Sequence, residues 1–163
     1  MPDQFRVPKR EIQAEIVLFG QKPATLRIFL NEHAEGHTGF ERPSDLFNGR
    51  GAFIPASEKK GGLVLLRRQA VTSVTVAADE EFSGGEPRVE DLAPDQATTM
   101  TVEILLEDAS RAHGTITFLM PEGQRRLQDF LNLPDDFLVV RDGEHARLIN
   151  KHRIARITIA GPR

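Results

Sequence analysis

The sequence predicts a mainly β protein of two duplicated small barrel-like units, each with five strands and one short inserted helix. Three observations carry that reading. Apolar residues recur at alternate positions in short runs, the period of a strand with one buried face. A block of the first half returns in the second at constant spacing: Arg42, Asp45, Asn48 and Phe53 reappear in register as Arg126, Asp129, Asn132 and Phe137. Between the copies lie Asp79-Glu80-Glu81, Ser83-Gly84-Gly85, Pro87 and Pro94, the composition of a solvated connector.

The elements follow in order. In the first unit, residues 1–78, strands are predicted over 14–20 and 24–30, a helical turn over 44–47, and strands over 53–54, 63–66 and 74–76. The connector spans 79–98 and the second unit 99–163. There Thr101-Val102-Glu103-Ile104-Leu105-Leu106 and Gly114-Thr115-Ile116-Thr117-Phe118-Leu119 alternate, or nearly so, around the turn Asp108-Ala109-Ser110, which reads as a hairpin. Leu127, Phe130 and Leu131 stand at i, i+3 and i+4, one face of a short helix over 124–131 that Asn132 and Pro134 close. Phe137-Leu138-Val139-Val140, the turn pair Asp142-Gly143 and Ala146-Arg147-Leu148-Ile149 repeat strand, turn, strand, and Ile157-Thr158-Ile159 ends the unit. The repeat extends through these elements: Leu65-Leu66 falls on Leu148-Ile149, Val71 on Ile154 and Val74 on Ile157, with residues 26–30 set against 116–120. Five bent strands with one buried face suffice to curl into a small barrel.

Charge separates the connector from the units. The chain of 163 residues has 21 Lys and Arg against 24 Asp and Glu, a formal net charge of -3. Residues 83–97 hold one basic and four acidic side chains, while 1–82 and 98–163 each balance, so all of the net charge sits in the connector. Like charge and proline keep such a tether extended. With no cysteine, disulfide frameworks, thiolate zinc sites, iron–sulfur clusters and cysteine nucleophiles are excluded. The first nine residues carry charges and two prolines where a signal peptide needs an apolar core, and no apolar run approaches membrane-spanning length. The expectation is a cytoplasmic protein with no membrane partner.

The run Leu148-Ile149-Asn150-Lys151-His152-Arg153-Ile154-Ala155-Arg156-Ile157 resembles the second signature of the Hfq branch of Sm-like proteins, where Lys-His precedes Ile-x-x-Ile between the last two strands. The segments 102–106 and 114–118, with a glycine opening the second, are similar to the first signature of that family. The resemblance covers residues 101–159 and, through the repeat, more faintly 14–76. It implies a five-stranded barrel, ring assembly through strand edges, and RNA binding near Lys151 and His152. The helical segment here follows the second strand, whereas in that family it precedes the first. In the first unit Arg68-Gln69-Ala70-Val71 stands where the Lys-His tetrad would be.

Three sets of residues are candidates for function. Lys151, His152, Arg153 and Arg156 lie in a carboxy-terminal segment, 145–163, that has no acid, and unpaired cations of this kind attract phosphate. The alternative is a solvated strand face. Arg42, Asp45 and Asn48, with Arg126, Asp129 and Asn132, recur in both units at helical spacing; they read either as helix pins or as matched partner-binding grooves beside the helix. His33 and His37, with Glu32 and Glu35, lie within one short stretch, but Gly36 and Gly39 argue for a loop, and no metal or other cofactor is expected. No Ser, His and acid arrangement has nucleophile context. The sequence therefore points to a non-catalytic protein-interaction or regulatory adaptor, with a protein partner or self-association, and to an Sm-like RNA binder as the alternative.

Overall fold

The computed structural model describes residues 9–34, 39–82, 97–119 and 127–160. Alternation builds its first strand, β1 (Lys9–Leu18): Ile12, Ala14 and Ile16 point inward and are buried, while Glu11, Gln13 and Glu15 face solvent. It begins earlier than expected, because polar residues occupy only its outer face; Gly20, expected within the strand, takes φ +76° in the turn that follows. The first half continues with β2 (Ala24–Asn31), α1 (Pro43–Phe47), β3 (Phe53–Ser57), β4 (Leu63–Arg67), a 3₁₀ turn (Arg68–Ala70) and β5 (Val71–Ala77). After α2 (Ala78–Phe82), the second half repeats that order with β6 (Thr98–Leu106), β7 (Arg111–Phe118), α3 (Leu127–Leu131), β8 (Phe137–Asp142), β9 (His145–Asn150), a 3₁₀ turn (Lys151–Arg153) and β10 (Ile154–Ile159).

All ten strands join one antiparallel sheet in the order β10-β6-β7-β8-β9-β5-β1-β2-β3-β4, and the sheet does not close. The strands expected to form two barrel-like units thus lie in one continuous, open sheet. The physical reason is one pairing, β5 with β9, which runs the two halves into each other. Within each half the order is nonetheless the same: the last strand lies beside the first, then the second, third and fourth.

Register repeats as well as order. Between β1 and β5 a bulge at Thr72 separates the pairs Val17 with Ser73 and Leu18 with Val71. Between β6 and β10 a bulge at Ala155 separates Leu105 with Arg156 and Leu106 with Ile154. Ile16 faces Val74 as Ile104 faces Ile157, and Ile12 faces Ile28 as Met100 faces Ile116. Ile28 therefore corresponds to Ile116 and Leu30 to Phe118, a two-residue correction to the sequence alignment of these strands. Two alternating strands align almost equally well when slipped by two, since the same face stays apolar.

Gly114 marks the sharpest close approach. A Cβ there would stand 2.2 Å from the carbonyl oxygen of Arg141, so only glycine lets β7 cross this near to β8.

The apolar residues form two cores. The first gathers inward residues of β1 to β5 and Phe47, together with Phe137, Ala146 and Leu148 from the second half. The second gathers Val102, Ile104, Ile116, Phe118, Leu138, Val140 and Ile149, and among the described residues it takes nothing from the first half.

The connector is shorter than expected where it is described. Residues 79–82 belong to α2, and Thr98 already pairs in β6; residues 83–96 lie outside the described residues. Ala78 and Phe82, one helical turn apart, are buried and half-buried, and Phe82 packs against the first core. Among the described residues no helix is long and apolar enough to cross a membrane.

Candidate interaction surface

The joint between the halves shows what these strand edges are built to do. β5 and β9 pair antiparallel over Ser73 with Ile149, Val74 with Leu148, Thr75 with Arg147, Val76 with Ala146 and Ala77 with His145. Val74, Leu148, Val76 and Ala146 point to one face and are sealed from solvent. The residue after α1 adds a pin: the Asn48 side-chain oxygen accepts from the Phe137 N–H at 2.8 Å, and its amide donates to the Phe137 carbonyl at 3.4 Å. A side-chain amide here imitates a strand backbone. The Phe137 ring then packs edge-on against Phe47, with centroids 5.5 Å apart.

Further contacts cross the joint beside this pin. Asn150, fully buried, donates to the Val71 carbonyl at 3.0 Å and accepts from the His152 N–H at 3.0 Å. The Arg153 guanidinium lies 4.3 Å from the centroid of the Phe19 ring and donates to the Gln69 carbonyl. Gln69 in turn donates to Asp136.

The four basic candidates thus divide. Lys151 Nζ donates to the Leu131 and Leu133 carbonyls, at 3.0 and 2.7 Å, and so caps the carboxy-terminal end of α3. Arg68, at the same place in the first half, donates to the Leu46 carbonyl of α1 at 3.1 Å. Burial lowers the pKa of both cations, with Asp136 opposing for Arg68 and Asp135 and Asp136 opposing for Lys151. The exposed His152 ring meets Asp136 at 3.0 Å, Arg153 is held in the joint, and Arg156 is exposed on β10.

The recurring triads also divide. The Arg42 N–H donates to Asp45 Oδ2 at 2.8 Å, a backbone cap at the start of α1 between the two residues that spacing had paired. Asn48 ends α1 with φ -91°, in place of a left-handed stop, because its side chain is engaged with Phe137. Asp129 is half-buried and Asn132 exposed at the end of α3; Arg126 lies outside the described residues. A cleft of about 610 Å³ runs beside α1 and brings Arg42, Asp45, Asn48 and Arg68 together with Asp135 of the second half. His33 is exposed in its loop, and His37 and Glu35 lie outside the described residues. Among the described residues no cluster of three His, Cys, Asp or Glu is placed to hold a metal ion.

Sequence reasoning missed two features. Glu81, assigned to the solvated connector, is buried: its Oε2 accepts from the Ser44 N–H at 3.1 Å, at the start of α1. Burial pushes its pKa up to about 7; the Ser44 hydrogen bonds and Arg42 oppose that rise, and Asp45 adds to it. The signal available was the apolar pair Ala78 and Phe82 flanking the acidic run at helical spacing.

The second omission is the pair of outer edges. Among the described residues nothing pairs with the outer side of β4 or of β10. Phe53, Leu63 and Leu65 at the first edge and Ile159 at the second are exposed large apolar side chains. Their counterparts at the inner joint are sealed: Phe53 is 59% exposed where Phe137 is 3%, and Leu65 is 64% exposed where Leu148 is 0%. Comparison with known proteins adds no relative, for no family model, no curated protein and no solved structure matches this chain.

Proposed function

We propose that this chain is a non-catalytic interaction adaptor, built by duplication of one five-stranded unit, which engages a protein partner by strand addition at its outer edges. The observation that carries the reading is the exposed apolar set of Leu63 and Leu65 on β4 with Phe53 at the start of the neighbouring β3, matched by Ile159 on β10. Sheet edges that stay unpaired are normally blunted by charge, proline or a bulge that turns them away, because open N–H and C=O groups recruit strands. Here β4 presents Leu63-Val64-Leu65-Leu66 with its only charge at the end, Arg67. Strand addition draws affinity from main-chain hydrogen bonds and specificity from alternate side chains, and both are on offer at this edge. The duplication is supported by the repeated strand order and by the matching bulges at Thr72 and Ala155.

The test is a pair of charged substitutions in the full chain, Leu65→Lys and Ile159→Lys, one at each edge. Thermal stability is expected to stay unchanged, since both side chains are exposed, while partner binding is lost and responds only modestly to salt. The rival is the RNA-binding reading of Lys151, His152, Arg153 and Arg156. It requires nucleic acid to travel with the purified protein and to leave at high salt. Such carry-over is easily seen, because a chain without Trp or Tyr absorbs little near 280 nm. Tight RNA binding lost from a Lys151→Ala, Arg153→Ala, Arg156→Ala variant, with no effect of the edge substitutions, would reject the adaptor reading.

A further inference from the structure

We infer that the occupant of the outer edges is a second copy of this chain, joined head to tail: β10 of one copy pairs antiparallel with β4 of the next. The register is the one that β5 and β9 already use within the chain. This inference rests on the edge reading above and names its partner.

The inner joint is the template. It brings the last strand of the first half against the fourth strand of the second half. The strands left over are the fourth of the first half, β4, and the last of the second, β10. Transposed position by position, Val74 with Leu148 becomes Ile157 with Leu65, and Val76 with Ala146 becomes Ile159 with Leu63. Ser73 with Ile149 becomes Arg156 with Leu66, and Thr75 with Arg147 becomes Thr158 with Val64. Apolar side chains meet apolar ones on one face, and no like charges stand opposite each other.

The pin transposes too. Asn132 follows α3 as Asn48 follows α1, and it is exposed; Phe53 opens β3 as Phe137 opens β8, and it is exposed. Across the new joint, the Asn132 amide meets the Phe53 backbone, and the Phe53 ring comes to rest on Leu131, which holds the place of Phe47. Leu131 already lines an open dent with Phe130 and Leu133.

Burial of the two cores gives the independent argument. The first core is completed from across the joint by Phe137, Ala146 and Leu148. The second has no such contribution among the described residues, and Ile154, Ile157 and Leu131 are half-buried, whereas their counterparts Val71, Val74 and Phe47 are sealed. The residues that stand where Phe137, Ala146 and Leu148 stand are Phe53, Leu63 and Leu65 of β3 and β4. Each copy carries both the incomplete core and the side chains that complete it, on opposite ends of its sheet. A contact of β4 with β4 leaves the second core open and does not satisfy this complementarity. Three inner contacts have no close counterpart: Arg67 stands in the place of Asn150, Ala52 in that of Asp136, and Ala70 in that of Arg153, with Glu107 where the inner joint has Phe19. The joint between copies is therefore weaker than the inner one and responds to concentration. Because its two faces differ, it propagates into rings or filaments.

The experiment is sedimentation of the full chain over a range of concentrations, with two single-edge variants. The wild-type chain is expected to grow beyond a dimer as concentration rises. Leu65→Lys and Ile159→Lys, both with unchanged melting temperature, are each expected to remain monomers. Mixed together they are expected to form a one-to-one dimer and nothing larger, because each still has the edge the other lacks. Since the chain has no cysteine, a mixture of Leu63→Cys and Ile159→Cys proteins is expected to oxidise to a covalent heterodimer, and a mixture of Leu63→Cys and Ile154→Cys is not. A wild-type chain that stays monomeric at every soluble concentration overturns the inference, as does a dimer of either variant alone or the absence of the mixed dimer. If that monomer still binds a different protein and Leu65→Lys abolishes the binding, the edge reading stands and only the second copy falls. Loss of neither self-association nor partner binding in both variants overturns the two together.

Discussion

The inner joint and the outer edges hold matching apolar side chains at corresponding positions, yet those of the joint are sealed and those of the edges are exposed or half-buried. Val74, Leu148 and Phe137 are buried where β5 meets β9; Leu65 and Phe53 are exposed and Ile157 is only half-buried, with no described strand on the outer side of β4 or β10. The difference teaches that exposure here belongs to a strand's neighbour and not to the strand's own sequence. An apolar edge is a core residue set awaiting its other half.

The largest expected effect tests that contrast directly. Phe137→Ala removes a ring that packs on Phe47 and should cost about 3–5 kcal/mol of folding stability in denaturant titration. Phe53→Ala, measured at dilutions where copies are separate, should stay within about 0.5 kcal/mol of wild type. Equal losses at the two positions would mean that the halves do not share this geometry.

Next comes the latch between α2 and α1. Because the Glu81 carboxyl has its pKa raised to about 7 from an ordinary 4.5, the folded chain holds this proton where the unfolded chain has released it. Its contribution to stability is complete below about pH 4.5 and declines as pH rises to about 7, by about 3 kcal/mol in total. Glu81→Gln keeps an acceptor for the Ser44 N–H and has nothing to ionise. It should therefore raise the melting temperature at pH 8 and leave it unchanged at pH 4.5. The second half has no described residue in this place, so a pH response confined to the first half sharpens the comparison.

The pin is smaller. Asn48→Ala leaves the Phe137 N–H without its acceptor and should cost about 1–2 kcal/mol, while Asn132→Ala should be nearly neutral in the separated chain. The smallest effect belongs to the helix caps: Lys151→Ala should cost about 0.5–1 kcal/mol through the Leu131 and Leu133 carbonyls. Its loss of stability, without any nucleic-acid phenotype, would place Lys151 among structural residues.

Much of the chain's organisation was legible in advance. Asn48 and Asn132, Phe53 and Phe137, Leu65 and Leu148 were paired by spacing alone, and the alternation in β6 and β7 located a hairpin. The helix at 44–47 was found through the same repeat. What went unread depended on contacts distant in sequence. Glu81 looks solvated among Asp79 and Glu80 until α2 folds back onto the Ser44 N–H. Lys151 reads from sequence as one of a run of cations, and only the fold of α3 shows two carbonyls at its ammonium. Arg42 and Asp45 are paired by spacing in the sequence, and only the fold shows the Arg42 backbone N–H donating to the Asp45 carboxylate.

By itself the sequence determined which residues alternate, where the chain turns, and that two stretches share one pattern, because period and turn chemistry act over a few neighbouring residues. Only the tertiary structure decided that β5 meets β9, and with it which of two matching apolar sets is buried. That choice turns on strand edges about seventy residues apart in the chain, such as Val76 and Ala146. No local pattern distinguishes an edge that has found a partner from one that has not.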